Sequence, residues 1–238
     1  MRSMVDFHSH ILPGMDDGSA SVEESLAMLE TYSPRTTDIC LTPHFYPSKD
    51  RPEKFFERRQ RAFERLMESL PGDYCPRLHL GAEVYYFPGI QHSAQMAQFR
   101  LGGSDLILVE LPASPWTGRM MDDVLALGQN TGLRPVLAHI DRYHFAEGDR
   151  APALNRYLDG GGLVQMNAEA LLSWRTRHKA VSMIRRGMVH FVGSDAHNMT
   201  TRRPNLEEMC QKLSAGRNTD VLEILEENAS CYFQNGKE

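Results

Sequence analysis

Short apolar runs alternate with longer amphipathic segments along nearly all of this 238-residue chain, and no other feature restricts its fold as tightly. The runs fall at residues 4–7, 37–42, 77–82, 105–109, 134–138, 162–166 and 189–193. Each is almost continuously apolar, as a strand covered on both faces must be. Helical signals stand between them. Ser21 followed by Glu24 marks an N-cap and capping box for a helix over 21–32, with Val22, Leu26 and Leu29 as its stripe. A charged segment over 52–70 ends at Pro71-Gly72, and further helices are expected over 119–129, 179–186, 206–213 and 220–228. The pattern predicts an α/β fold, a distorted seven-stranded (β/α) TIM-like barrel. A doubly wound sheet is the alternative, but no Gly-x-Gly-x-x-Gly follows the first run and no Walker A loop occurs. No repeat, low-complexity tract or linker divides the chain, so residues 1–238 read as one domain.

The totals exclude several functions. A net charge of -5 gives no basic field for nucleic acid or an anionic membrane. Met1-Arg2-Ser3-Met4 leads straight into the first run without a secretory apolar core, and no run reaches transmembrane length. A cytoplasmic protein without membrane insertion is expected. Cys40, Cys75, Cys210 and Cys231 are scattered and form no Cys-x-x-Cys pair, so free thiols are expected. Six residues after each stand Tyr46, Gly81, Gly216 and Lys237, so the Cys-x5-Arg loop of a cysteine-based phosphatase is absent.

In a parallel barrel the C-terminal strand ends converge on one face, and here those ends carry chemistry. His8, His10 and the Asp16-Asp17 pair follow the first run, His44 the second, Glu83 the third and Glu110 the fourth. His139 follows the fifth, Asn167 the sixth, and Asp195 with His197 the seventh. Any one of these has a structural explanation, such as a turn histidine or a helix cap. Their joint placement points to metal, because a carboxylate such as Glu110 directly after Leu-Ile-Leu-Val is costly unless a cation neutralises it. Imidazole and carboxylate without thiolate suit zinc, manganese or iron. So many donors imply two or three ions, with Glu83 placed to bridge neighbours, the arrangement that clamps a phosphate during in-line displacement. Arg142 lies three residues beyond His139 and Arg202 five beyond His197, and a guanidinium fork matches phosphate oxygens. Tyr46, Tyr85, Tyr86 and Tyr143 are candidates to frame an aryl group. His79, His92, His144, His178 and His190 have no placement that calls for metal, and Trp174 is uninformative.

Together, Asp6-Phe7-His8-Ser9-His10-Ile11-Leu12-Pro13-Gly14-Met15-Asp16-Asp17-Gly18, Thr42-Pro43-His44, Ala138-His139-Ile140-Asp141-Arg142-Tyr143, Gln165-Met166-Asn167 and Ser194-Asp195-Ala196-His197-Asn198 resemble the polymerase and histidinol phosphatase superfamily. Within it the chain is similar to the CpsB/YwqE type, bacterial tyrosine-protein phosphatases of capsule and exopolysaccharide operons. The resemblance implies up to three divalent ions, commonly manganese, with iron, zinc or magnesium as alternatives. By position it implies His8, His10, Asp17, His44, Glu83, Glu110, His139, Asp195 and His197 as ligands, Asp17 being preferred to Asp16 by its place before Gly18. It implies Arg142 and Arg202 on the phosphate, with His44 or a bound water protonating the leaving group. The implied substrate is phosphotyrosine on a tyrosine kinase that regulates polysaccharide export. Phe45-Tyr46-Pro47 and Ile140-Asp141-Arg142 depart from the family's usual residues on the substrate side. A small-molecule phosphatase such as a histidinol-phosphate phosphatase is the first alternative, a non-catalytic metal-binding regulator the second. Oligomeric state and cognate kinase are not fixed by the sequence.

Overall fold

Residues 4–73 and 76–233 are described in the computed structural model; Cys75 and the first three residues lie outside the described residues. Near-continuous apolar runs become short parallel strands, and the amphipathic segments between them become the covering helices. The order is β1 (Met4–Ser9), α1 (Val22–Leu29), β2 (Thr36–Leu41), β3 (His44–Phe45), α2 (Pro52–Ser69), β4 (Arg77–Leu80) and β5 (Glu83–Tyr85). There follow β6 (Leu106–Glu110), α3 (Gly118–Thr131), β7 (Arg134–Leu137), α4 (Ala151–Asp159), β8 (Leu163–Asn167) and α5 (Glu169–Leu172). Then come α6 (Arg177–Arg185), β9 (Phe191–Gly193), α7 (Leu206–Ser214) and α8 (Thr219–Tyr232). No helix among the described residues is long and apolar enough to cross a membrane.

The strands pair in parallel as two sheets, β1-β2-β4 and β3-β5-β6-β7-β8-β9. Seven uninterrupted strands were the expectation; the second and third are each split. Pro43 has no N–H to give a ladder, so β2 stops and β3 resumes beyond it. At Gly81, in the link between β4 and β5, a side chain would strike Leu101, its Cβ falling 2.7 Å from Cδ2, so this link packs closely against the segment that leads into β6. Backbone bonds span both breaks: Thr42 N–H to Ser9 O at 2.8 Å, Gly81 N–H to Leu41 O at 2.9 Å, and Glu83 N–H to Pro43 O at 3.1 Å. The result is a curled parallel sheet. Its last strand returns to its first through an isolated parallel bridge between Ser9 and Ala196.

Successive residues of each strand face opposite ways. Val5, Phe7, Leu106, Leu108, Val136 and Ala138 join one apolar cluster, completed by Ala229 and Phe233. Ile107, Val109, Leu137 and Val164 belong to the larger cluster with the helices. At α1, Ser21 Oγ accepts from Glu24 N–H as expected, but Glu24 reaches back to Ala20 N–H, one residue before the cap. Helix α4 falls where the sequence pattern predicts none. Its Pro152 lies in the first turn, where the missing N–H has no intrahelical partner to lose, and its nine residues give too few turns for a clear stripe. Cys40, Cys210 and Cys231 are free thiols.

Candidate metal centre

The strand ends that carry the expected donors meet. His8 and His10 converge from β1, their Nε2 atoms 3.0 Å apart. Register between β1 and β2 shifts between Asp6 and Ser9, the kind of local irregularity that re-aims side chains. Glu83, at the start of β5 and fully buried, sits at the middle. Its Oε2 lies 3.2 Å from His8 Nε2, 3.3 Å from His10 Nε2 and 2.9 Å from His44 Nδ1, while Oε1 lies 2.7 Å from His139 Nε2. Glu110, ending β6, lies 3.8 Å from His44 Nδ1 and 3.7 Å from His139 Nε2. Asp195 Oδ1 lies 3.7 and 3.6 Å from the Nε2 atoms of His8 and His10.

Asp16 and Asp17 have separate surroundings. Asp16 Oδ2 bonds His10 Nδ1 at 2.7 Å and accepts from His44 N–H at 2.8 Å, so it is already used in orienting those two residues. Asp17 is two-thirds exposed and points across the cluster, 3.5 Å from His44 Nε2 and 3.6 Å from His197 Nε2.

Three overlapping groups of donor atoms result: His10, Asp17, His44 and His197; His8, His10 and Glu83; His44, Glu83 and Glu110. Whether these residues suit metal ions can be tested on their unmet hydrogen-bonding capacity. Glu110 Oε2, His139 Nδ1 and His197 Nε2 are buried and lack hydrogen-bond partners, and Glu83 Oε2 and His44 Nδ1, though 2.9 Å apart, are not aligned for a hydrogen bond. A buried polar atom left unpaired costs about 1–3 kcal/mol, and orphans collected in one place fit a cation that would accept their lone pairs.

Charge is balanced tightly here. Burial alone pushes the Glu83 carboxyl up, but His8 and His139 outweigh it and hold it well below the usual range. Burial opposes a charge on His10; Asp16 overrides it and raises the imidazole to about 9. Asp16 is in turn held down at about 2, against its burial, chiefly by His10. Burial and the neighbouring His10 depress His197 to about 3. Burial and Glu83 both raise Glu110.

Behind these donors lies a second set of residues. Gln165 Oε1 accepts from His139 N–H at 2.7 Å and faces His8 Nδ1 at 3.4 Å, while its Nε2 donates to Met166 O and Asn167 Oδ1. With that oxygen toward His8, the imidazole keeps its proton on Nδ1 and presents a lone pair at Nε2. Asn167 passes the chain on, donating to Asp195 Oδ2 at 2.8 Å. Asp6 Oδ1 accepts from both His8 N–H and Ser194 N–H, tying β1 to the segment after β9. Sequence reasoning quoted Asp6, Gln165 and Asn167 within motifs but gave none of them these tasks, because the partners come from distant strands. His139 and Asp195 adopt left-handed backbone angles, φ 33° and 52°, a conformation non-glycine residues avoid and retain mainly at functional sites.

Arg142 and Arg202 both donate to Asp195, Arg202 at 2.8 Å. They line a cavity of about 500 Å³ together with Asn167, Ser194 and Asp195. Another cavity, about 510 Å³, is lined by Met15, Asp16, Asp17, His44, Tyr46 and Lys49. Of the histidines read as structural, His79 bonds Asp38 at 2.6 Å and His190 accepts from Val164 N–H, both away from the cluster.

Known proteins share this arrangement of chain. Tyrosine-protein phosphatase CpsB of Streptococcus agalactiae serotype V is 28% identical over 254 residues, covering 98% of this chain and 99% of its own length. Tyrosine-protein phosphatase YwqE of Bacillus subtilis is 27% identical over 248 residues, covering 98% and 92%. The fold is shared with a crystal structure from the pair YwqE of Bacillus subtilis and CpsB of Streptococcus pneumoniae, described as unique metal-dependent tyrosine phosphatases. That match has a TM-score of 0.80 and 24% identity over 98% of this chain and 96% of the other. A family model for capsular polysaccharide synthesis, CpsB/CapC, matches residues 4–234, and the chain belongs to that family.

Proposed function

We propose that this protein is a metal-dependent phosphomonoesterase that hydrolyses phosphotyrosine on a protein, a bacterial tyrosine kinase controlling capsular or exopolysaccharide synthesis being its partner. The names of its relatives support the substrate class. The observation that carries the reading is the convergence of His8, His10, His44, His197, Asp17, Glu83 and Glu110 donor atoms in one cluster, with Arg142 and Arg202 reaching it at Asp195. We assign His8, His10, Asp17, His44, Glu83, Glu110, His139, Asp195 and His197 to two or three divalent ions, manganese first. The curled sheet is taken as a distorted seven-stranded barrel closing at the β1–β9 bridge, and residues 1–238 as one working unit.

Bound ions would supply Lewis acidity toward the phosphate oxygens and activation of the attacking water. The chain does the rest. Arg142 and Arg202 offer N–H forks at the mouth of the donor cluster, placed to pair with phosphate oxygens and to stabilise charge as it spreads in the transition state. Gln165 and Asn167 hold donors in register, so little reorganisation is needed. His44 lines the second cavity and is the imidazole on the side from which a phenolate would leave; it is assigned proton transfer to that oxygen as well as a place among the donors.

Hydrolysis of phosphotyrosine peptides and of histidinol phosphate with added Mn²⁺ tests the substrate. Turnover of the peptides is expected; preference for histidinol phosphate makes this a small-molecule phosphatase, and turnover of neither overturns the enzymatic reading. Arg142→Ala should lower kcat/KM by about 10²-fold or more with metal content unchanged; lost metal would mean the arginine supports the donors instead.

A further inference from the structure

Four tyrosines near the strand ends compete for an aryl substrate, and their surroundings separate them. Tyr86 donates its hydroxyl to Asp123 at 2.8 Å, and Tyr143 is buried, its hydroxyl on Leu111 O and its ring edge-on to Trp116 at 4.8 Å. Both are structural. Tyr46 and Tyr85 are half-buried with ring centroids 5.4 Å apart. Tyr46 also lies 5.1 Å from the ring of His44, and Lys49 Nζ stands over it at 4.6 Å. A ring held by an imidazole, a second ring and a cation has a fixed orientation at little entropic cost.

The two cavities reach the donor cluster at different places. One brings Arg142 and Arg202 to Asp195; the other brings Met15 and Tyr46 to Asp17 and His44. They approach each other where Arg202 Nη1 lies 3.9 Å from Asp17 Oδ2. A phosphate seated by the arginines can direct its ester group toward the second cavity, where Met15 and the Tyr46 ring are the apolar and aromatic surfaces among Asp16, Asp17, His44, Lys49, Asp50 and Arg58. A phenyl ring can stack there, whereas a short alkyl ester would leave it unfilled.

The structure assigns Tyr46, backed by Tyr85, as the residue that selects aryl over alkyl phosphate esters. This rests on the phosphotyrosine reading above and adds the contact that recognises the ring.

The test compares wild type, Tyr46→Phe, Tyr46→Leu and Tyr46→Ala with added Mn²⁺, using a phosphotyrosine peptide and a phosphoserine peptide. Calorimetric binding of phenylphosphonate and methylphosphonate runs in parallel, together with metal content. For Tyr46→Leu and Tyr46→Ala, KM for phosphotyrosine and the dissociation constant for phenylphosphonate should each rise about tenfold. Methylphosphonate affinity and metal content should stay within about twofold, and Tyr46→Phe should match wild type. Tyr46→Leu keeps apolar bulk, so a folding defect confined to Tyr46→Ala leaves the test standing. Equal losses for phenyl and methyl phosphonates, no loss for either, or a Tyr46→Phe as impaired as Tyr46→Leu would overturn the assignment. Wild type that turns over neither peptide yet prefers phenylphosphonate through Tyr46 would reject the phosphatase reading alone.

Discussion

At Glu83, burial and charge act in opposite directions, and the imidazoles win. Among the described residues no other carboxylate touches as many of the donors: His8, His10, His44 and His139 all lie within 3.3 Å of one of its oxygens. The sequence shows Glu83 as one strand-end acid among several, since a residue's neighbours across a sheet cannot be read from local spacing. Asp16 and Asp17 illustrate the same limit. Both precede Gly18, yet one is spent on His10 Nδ1 and the other faces His44 and His197. Gln165 is the clearest case of a task invisible in the sequence, because the two partners of its side-chain oxygen, His8 and His139, come from distant segments, β1 and the turn after β7. Gln165→Leu keeps the volume but removes the oxygen that fixes both. Mn²⁺ affinity measured by calorimetry should fall about 10- to 100-fold, with the folded state retained by circular dichroism; unchanged affinity would mean the His8 tautomer is set elsewhere.

Strands and helices were legible where their periodicity was long or their caps were marked. β6, α1 and α2 fall within a residue or two of the predicted boundaries, apart from the end of α1, which stops at Leu29 rather than continuing to 32. The splits between β2 and β3 and between β4 and β5 were not legible, because apolar character continues across Thr42-Pro43 and Gly81-Ala82 while the pairing partner changes. Where β9 meets β1 the backbones pack closely: a Cβ on Gly193 would lie 2.5 Å from His8 Cβ and 2.7 Å from His8 N. Gly193→Ala must therefore push β9, and with it the segment just beyond that carries Asp195, away from His8. A stability loss of about 1–3 kcal/mol by urea titration, with weakened metal binding, is the expected outcome; wild-type values for both would show that the junction yields freely. At the other end of the sheet, Asp38 joins β2 to β4 through Arg77, whose Nε and Nη2 each lie 2.8 Å away, and through His79. Burial raises its carboxyl, but His79 and Arg77 outweigh that and hold it far below its ordinary 3.8. A depressed carboxylate contributes stability above its unfolded pKa and loses it as pH falls toward the native one. Asp38→Asn should thus cost stability at pH 7 and flatten the fall in melting temperature below about pH 4; an unchanged acid limb would assign that fall to other carboxylates.

Across the whole molecule, a single topological fact explains why so many donors can meet. Parallel strands place their C-terminal ends on one side, so the end of β1, the end of β6 and the residues just beyond β7 and β9 meet. The breaks after β2 and β4 bring His44 and Glu83, the first residues of β3 and β5, to the same cluster, which spans residues 8 to 197. The ordered series of histidines and acids after apolar runs carried that arrangement in the sequence. The overlap of the donor groups and the separate surroundings of the four tyrosines did not show there, because each depends on distances between elements far apart in the chain. If these side chains form a metal centre, catalysis depends on the ions they hold. The most direct measurement of that dependence is elemental analysis of protein purified without chelators, coupled to phosphotyrosine hydrolysis before chelation, after it, and after Mn²⁺ is returned. The expected result is two or three divalent ions per chain, loss of activity with the ions, and recovery when they return. Full activity in metal-stripped protein would contradict the account.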